Sequence, residues 1–402
     1  MSISLTPPLP RPSVAAPSKA LATRTALPLY VYAVSAASLL TIIGILWDIS
    51  WHRSIGRDKF LSPPHILIYL GAIFAGLFSG IQVLWNSFRP TELVKTSMVR
   101  VWGIFYSSLG ALFCIWGAIA MLTSAPFDDW WHSAYGLDVV ILSPPHVLLG
   151  LGMLFLQFGA CVCICRYLNT GEDASIGGQR ALLSFLFVVS AASLLSMVYT
   201  LGTAYLETRR MRGPLFYEVA ALATLLFLPA FGRALSMRWG MTAIALCYTV
   251  IIAGSNWILQ LFPAEPKLGP ILFHSTHFQP GHFPLLILVP AVVMDLIMRK
   301  FRGREWGRAI LLSLAFTFIL LVIQYPFSGF LLESPGARNW FFGGESWYFG
   351  NSPVWPYRFK FRPNDIANGA EMVNGIGIAL VLGGLVAWLS LRWGKWMQSV
   401  ER

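Results

Sequence analysis

Residues 29–87 read LYVYAVSAASLLTIIGILWDISWHRSIGRDKFLSPPHILIYLGAIFAGLFSGIQVLWNS, and this stretch decides the fold. Two long apolar runs flank one short polar connector. A helix rises 1.5 Å per residue, so about 20 apolar residues cross roughly 30 Å of hydrocarbon. Residues 29–48 and 64–87 each meet that length. In lipid such runs must be helical, because an isolated strand would leave its backbone groups unpaired.

Working outward, runs of the same kind recur at 99–124, 144–168, 180–203, 216–236, 240–262, 282–299, 307–330 and 371–394. The chain is 56% hydrophobic and 12% charged over 402 residues, which leaves too few polar side chains to coat a soluble globule of that size. The expected class is all-α, a polytopic membrane protein with about ten transmembrane helices. Residues 1–25, rich in Pro, Ser and Ala, read as a disordered cytoplasmic tail without the apolar core of a signal peptide. Residues 26–170 form a first block of four spans. Residues 171–402 hold six further spans and a long outer loop at 331–370.

Ten spans put both termini on one side. Most of the 29 basic residues fall on that side, among them Arg299, Lys300, Arg302, Arg304 and Arg308, so the positive-inside rule makes the termini cytoplasmic. The expected location is a bacterial-type inner membrane, with the connectors between odd and even spans on the periplasmic face. The net charge of +11 reads as topology and contact with anionic lipid, not nucleic-acid binding, because no soluble basic domain is present. Cys161, Cys163 and Cys165 form a C-x-C-x-C run that suits a soft metal or, more plainly, small apolar helix positions.

The connectors carry the chemistry. Residues 48–65 read DISWHRSIGRDKFLSPPH and residues 128–146 read DDWWHSAYGLDVVILSPPH. Their shared frame of Asp, Trp, His, Gly, Asp and Ser-Pro-Pro-His repeats at about 80 residues, a tandem parallel duplication of a helical hairpin. Asp48 and His52 are four apart, so they share a helix face if the first span runs one turn further. Ser62 suits an N-cap and Pro63 the first helical position, which puts His65 in the first turn of the second span. Neighbouring helix ends then let Asp48, His52 and His65 converge, and Asp128, His132 and His146 do the same in the second copy.

Two imidazoles and a carboxylate suit copper, zinc or iron(II), with positions left open for water or substrate. Asp58, Asp129 and Asp138 are candidates to orient a histidine ring or add a ligand. The competing reading is an interfacial Trp-His belt with Ser-Pro helix starts. The chain has seven histidines; the other three, His274, His277 and His282, lie in one further connector on the same face. With Glu265 they make a candidate third site, a degenerate copy of the same helix start.

At these residues the sequence resembles the C subunit of the copper-dependent membrane monooxygenases, the particulate methane and ammonia monooxygenases. That family carries an Asp-x3-His-x12-His copper site, matched by Asp48, Trp51, His52, Arg57, Asp58, Pro63 and His65 in order and spacing. Its adjacent Asn-x3-His-x13-His site is matched in spacing by Asp128, His132 and His146, with Asp in place of Asn. The likeness covers about residues 45–168. Six further spans and the Ser-Pro-Pro-His detail are departures. The resemblance implies a copper-dependent membrane oxidoreductase, a monooxygenase or its subunit, that activates O₂. No dinucleotide fingerprint or CxxCH haem motif is present, so electrons would come from a quinol or a partner subunit. The alternatives are a metal-handling membrane protein and a non-catalytic subunit that docks through loop 331–370, with Arg358, Lys360 and Arg362.

Overall fold

The structure, a computed structural model, describes residues 27–56, 59–136, 143–170, 177–267, 271, 274–337, 339–343 and 366–401. The expected tail, Arg57, Asp58, Asp138 and the basic part of the long loop lie outside these residues.

The architecture is an all-α bundle. In chain order the elements are α1 (Leu29–Ser54), α2 (Pro63–Phe88), α3 (Glu92–Ser97), β1 (Val99–Val101), β2 (Phe105–Ser107), α4 (Leu109–Tyr135), α5 (Pro144–Thr170), α6 (Gly177–Leu201), α7 (Thr203–Leu206), α8 (Pro214–Leu235), α9 (Gly240–Leu259), α10 (Leu288–Lys300), α11 (Glu305–Glu333) and α12 (Gly369–Met397). Among the described residues nine helices are long and apolar enough to cross a membrane. α5 and α6 bury the largest share of their length, whereas α2, α9, α11 and α12 turn apolar side chains outward, as lipid-facing helices do.

The third span begins later than its hydropathy suggests. Residues 99–107 form an antiparallel hairpin, with Val99 opposite Ser107 and a turn at Trp102 and Gly103, both at positive φ. Ser108 then caps α4 by accepting from the amide of Ala111, and the helix continues through Pro126 to Tyr135. This shift carries Asp128 and His132 onto the last turns of a continuous helix.

The eighth crossing is broken. The sequence reads as one span over 282–299, but α10 has 13 residues, about 20 Å of helix, too short to cross alone. The preceding segment lies in non-helical backbone against α9. Gly281 and His282 pair with Asn256, the amide of Leu285 donates to Tyr248 Oη at 3.0 Å, and Asp295 accepts from the amides of Met241 and Thr242. Contacts therefore move down α9 as the chain moves forward, so residues 281–300 run antiparallel along its whole length. The amide of Leu286 donates to Gln324 Oε1 at 3.0 Å. Side chains of α9 and α11 thus satisfy the amides that a helix would pair internally, the condition for irregular backbone inside a bundle.

Among the described residues the bundle therefore has nine long apolar helices and one broken segment that runs beside α9. The start of α1 and the ends of α5 and α12 share a face. Tyr30 and Tyr167 hydroxyls lie 3.1 Å apart, and Asn169 Nδ2 donates to the carbonyls of Met397 and Val400.

Candidate metal centre

The duplication extends from the connectors into the helix crossings. In the first copy Gly71 of α2 faces Ala37 and Thr41 of α1; in the second Gly152 of α5 faces Gly117 and Met121 of α4. These are the same repeat positions. A Cβ at Gly152 would lie 2.9 Å from both the Gly117 carbonyl and the Met121 amide, so only glycine lets the backbones approach this closely. Each close crossing holds two helix ends together on one face, called here the hairpin face.

On that face the two triads assemble at helix ends as their spacing predicts. In the second, Nε2 of His132 lies 3.4 Å from Oδ2 of Asp128, and Nε2 of His146 lies 3.3 Å from Oδ1. Among the described residues this is the group whose ligand atoms all fall within 4.8 Å of one another. In the first, Nε2 of His65 lies 3.2 Å from Oδ1 of Asp48 and Nε2 of His52 lies 3.7 Å from Oδ2. That triad is more open and does not close to the same limit, and the His52 side chain is 49% exposed.

The donor chemistry and the spacing fit a metal. Bonds of about 2.0–2.1 Å in a tetrahedral arrangement set neighbouring ligand atoms about 3.3–3.4 Å apart, longer than a charge-assisted hydrogen bond at about 2.7–2.9 Å. Asp48 Oδ1 is buried and accepts no hydrogen bond among the described residues although His65 Nε2 is 3.2 Å away. That separation is longer than a charge-assisted hydrogen bond and compatible with both groups binding one ion. The six residues that would hold the ions are Asp48, His52 and His65, and Asp128, His132 and His146.

Local backbone chemistry aims the rings. Gly136 ends α4 at φ 88°, and its carbonyl lies 3.2 Å from Nδ1 of His132. A proton on Nδ1 would donate to that carbonyl and leave Nε2 as the ligand atom, the usual way a second contact fixes a histidine tautomer. Gly56 holds φ 81° at the same place in the first copy. Tyr69, one turn past His65, packs its ring 6.1 Å from the imidazole and donates its hydroxyl to the Phe60 carbonyl, tying the connector to α2.

Several expectations need correction. Ser62 occupies the N-cap position of α2 but makes no capping bond; its Oγ and that of Ser143 are buried without a hydrogen-bond partner among the described residues. Pro64 at the second helical position removes one of the two amides that the hydroxyl could accept from, and the other, that of His65, makes no such bond. Asp129 is exposed, one residue and about 100° of helix rotation away from Asp128. The four third-site candidates do not gather within ligand reach. His282 has Thr208 Oγ1 3.4 Å from Nδ1 and the Arg53 guanidinium 3.4 Å from Nε2, and a fixed positive charge there opposes a metal cation. Glu265 and His274 are exposed, and His277 Nδ1 lies 2.9 Å from the neighbouring Thr276 hydroxyl. Cys161, Cys163 and Cys165 are fully buried in α5; Cys161 and Cys165 share a helix face and Cys163 points away from them, so the three do not converge and serve as packing residues.

The connector bearing these last three histidines lies on the hairpin face, across the end of α1. Ser50 Oγ donates to the Gln279 carbonyl at 2.7 Å, the Gln279 amide donates to Ser54 Oγ at 2.7 Å, and Arg53 Nη1 reaches the Pro280 carbonyl at 3.3 Å. Sequence reasoning missed Ser50, Arg53, Ser54 and Gln279. For the three residues on α1 the legible signal is a difference between the two copies; Gln279 lies in neither copy and carries no such signal.

No protein-family model, curated protein or solved structure matches this chain.

Proposed function

We propose that this chain is a membrane-embedded oxidoreductase of the monooxygenase kind, with copper held by Asp48, His52 and His65 and by Asp128, His132 and His146. The observation that supports the reading is the duplicated Asp-His-His arrangement on one face of the bundle, closed to ligand spacing in the second copy and more open in the first. Bound copper would supply the redox chemistry that activates O₂.

The chain's own residues supply the rest. Three side chains per site leave coordination positions for small molecules, as open catalytic metal sites do. Trp130 and Tyr135 beside the second triad are 55% and 68% exposed and offer an apolar approach from the interface. Insertion of one oxygen atom into a C–H bond, with release of the other as water, takes two electrons and two protons. A quinol in the membrane is the chemical class that carries both, and a partner subunit is the other source.

The half-exposed imidazole of His52 favours a second reading, in which the ions are exchanged and the chain handles metal. Oxygen uptake separates the two. The copper-loaded protein, given a quinol and a small apolar substrate, should consume O₂ and form the hydroxylated product, and His52→Ala should abolish both. A copper-loaded wild type inert under these conditions moves the assignment to metal handling or assembly.

A further inference from the structure

The two triads are copies, but the helix turns that carry them have diverged in one respect. Aligned on Asp48 and Asp128, Ser50 corresponds to Trp130, Arg53 to Ser133 and Ser54 to Ala134. The three first-copy residues are those that hold the connector between α9 and α10. Ser50 and Ser54 are 1% and 0% exposed, and together they take both backbone groups of Gln279. Ser54 Oγ also donates to the Ser50 carbonyl at 2.6 Å, which braces the turn from within.

Further contacts extend the attachment. The Lys267 amide donates to the Ile55 carbonyl at 2.9 Å, satisfying a carbonyl just past the end of α1. Trp51 packs on Phe278 at 5.9 Å, and Ile55, Ala264 and Phe278 form a small buried cluster with Trp47. The connector is stiffened by pairing of Pro263 with His277, flanked by bonds from Ala264 to Thr276 and from Phe278 to Phe262. Tryptophan, serine and alanine at the three second-copy positions cannot reproduce the pair of buried hydroxyl bonds. There Trp130 and Ala134 are exposed.

The last turn of a helix frays unless its carbonyls find partners. His52 sits on that turn, and it shares a face with Asp48 only while the turn stays helical. We propose that Ser50, Arg53 and Ser54 are positioning residues that clamp the end of α1 to the 262–282 connector. The clamp holds His52 in register with Asp48 in the first triad, whereas the matching turn of the second triad has no such attachment among the described residues. This rests on the metal-binding reading of the preceding subsection.

Single-site backgrounds test it. His146→Ala leaves the first triad and His65→Ala leaves the second, and each is loaded with Co²⁺, whose visible spectrum reports ligand geometry. Adding Ser50→Ala with Ser54→Ala should change the first-site spectrum and speed chelator-driven loss of the ion by about 10- to 100-fold, the range for residues that orient ligands. The second-site spectrum and release rate should not change. Hydrogen exchange at the Gln279 amide should accelerate in the same double variant without metal. An unchanged first site, or equal weakening of both sites, overturns the clamp while leaving metal binding intact. A wild type that takes up no ion overturns the underlying reading instead.

Discussion

At the scale of single residues the account turns on carboxylates placed between imidazoles. Asp48 and Asp128 each stand within 3.7 Å of two histidine Nε2 atoms, and each is the one anionic donor of its triad. Asp128 is also the one ligand that departs from the resembled family, which carries Asn there. A carboxylate binds a divalent ion more strongly than a neutral amide does, and both present an oxygen at the same distance along the side chain. Asp128→Asn should therefore keep the second ion but bind it about one order of magnitude more weakly. Isothermal titration in the His65→Ala background measures this directly. An unchanged affinity would mean that Asp128 does not touch the ion.

At the scale of elements, local rules made most of the site legible and long-range contacts hid the rest. The i, i+4 pairing of Asp48 with His52 and the Pro-led start of α2 are short-range geometry, so spacing alone predicted the convergence of three side chains. The clamp was not legible, because Ser50 and Gln279 are 229 positions apart in sequence. The broken eighth crossing was misread for another reason: hydropathy counts apolar residues and does not ask how their backbone is paired. Pro280, Pro284 and Pro290 in that stretch were the available warning. Its stability depends on borrowed acceptors, Tyr248 Oη for Leu285 and Gln324 Oε1 for Leu286. Tyr248→Phe and Gln324→Leu should each strand a buried amide and cost about 1–3 kcal/mol. Thermal unfolding in detergent should show a lower Tm for both, with metal content unchanged, since neither residue belongs to a triad. A Tm equal to wild type in both would show that those amides are satisfied otherwise.

At the scale of the whole molecule, a preserved Gly-mediated helix contact makes the first four long helices a duplicated unit set in a larger bundle. About ten spans are legible as apolar runs, and the described residues hold nine long apolar helices, with the third span beginning at Leu109 and the eighth half helix. What the duplication delivers is two Asp-His-His clusters on one face, and counting ions tests most directly the proposal that each holds a metal. Protein purified in detergent and reconstituted with copper should hold two equivalents, with His65→Ala and His146→Ala each retaining one and the double variant none. Copper electron paramagnetic resonance should then resolve two signals, of which each single variant loses a different one. Equal metal content in wild type, both single variants and the double variant would contradict the account and leave the histidines as an interfacial belt.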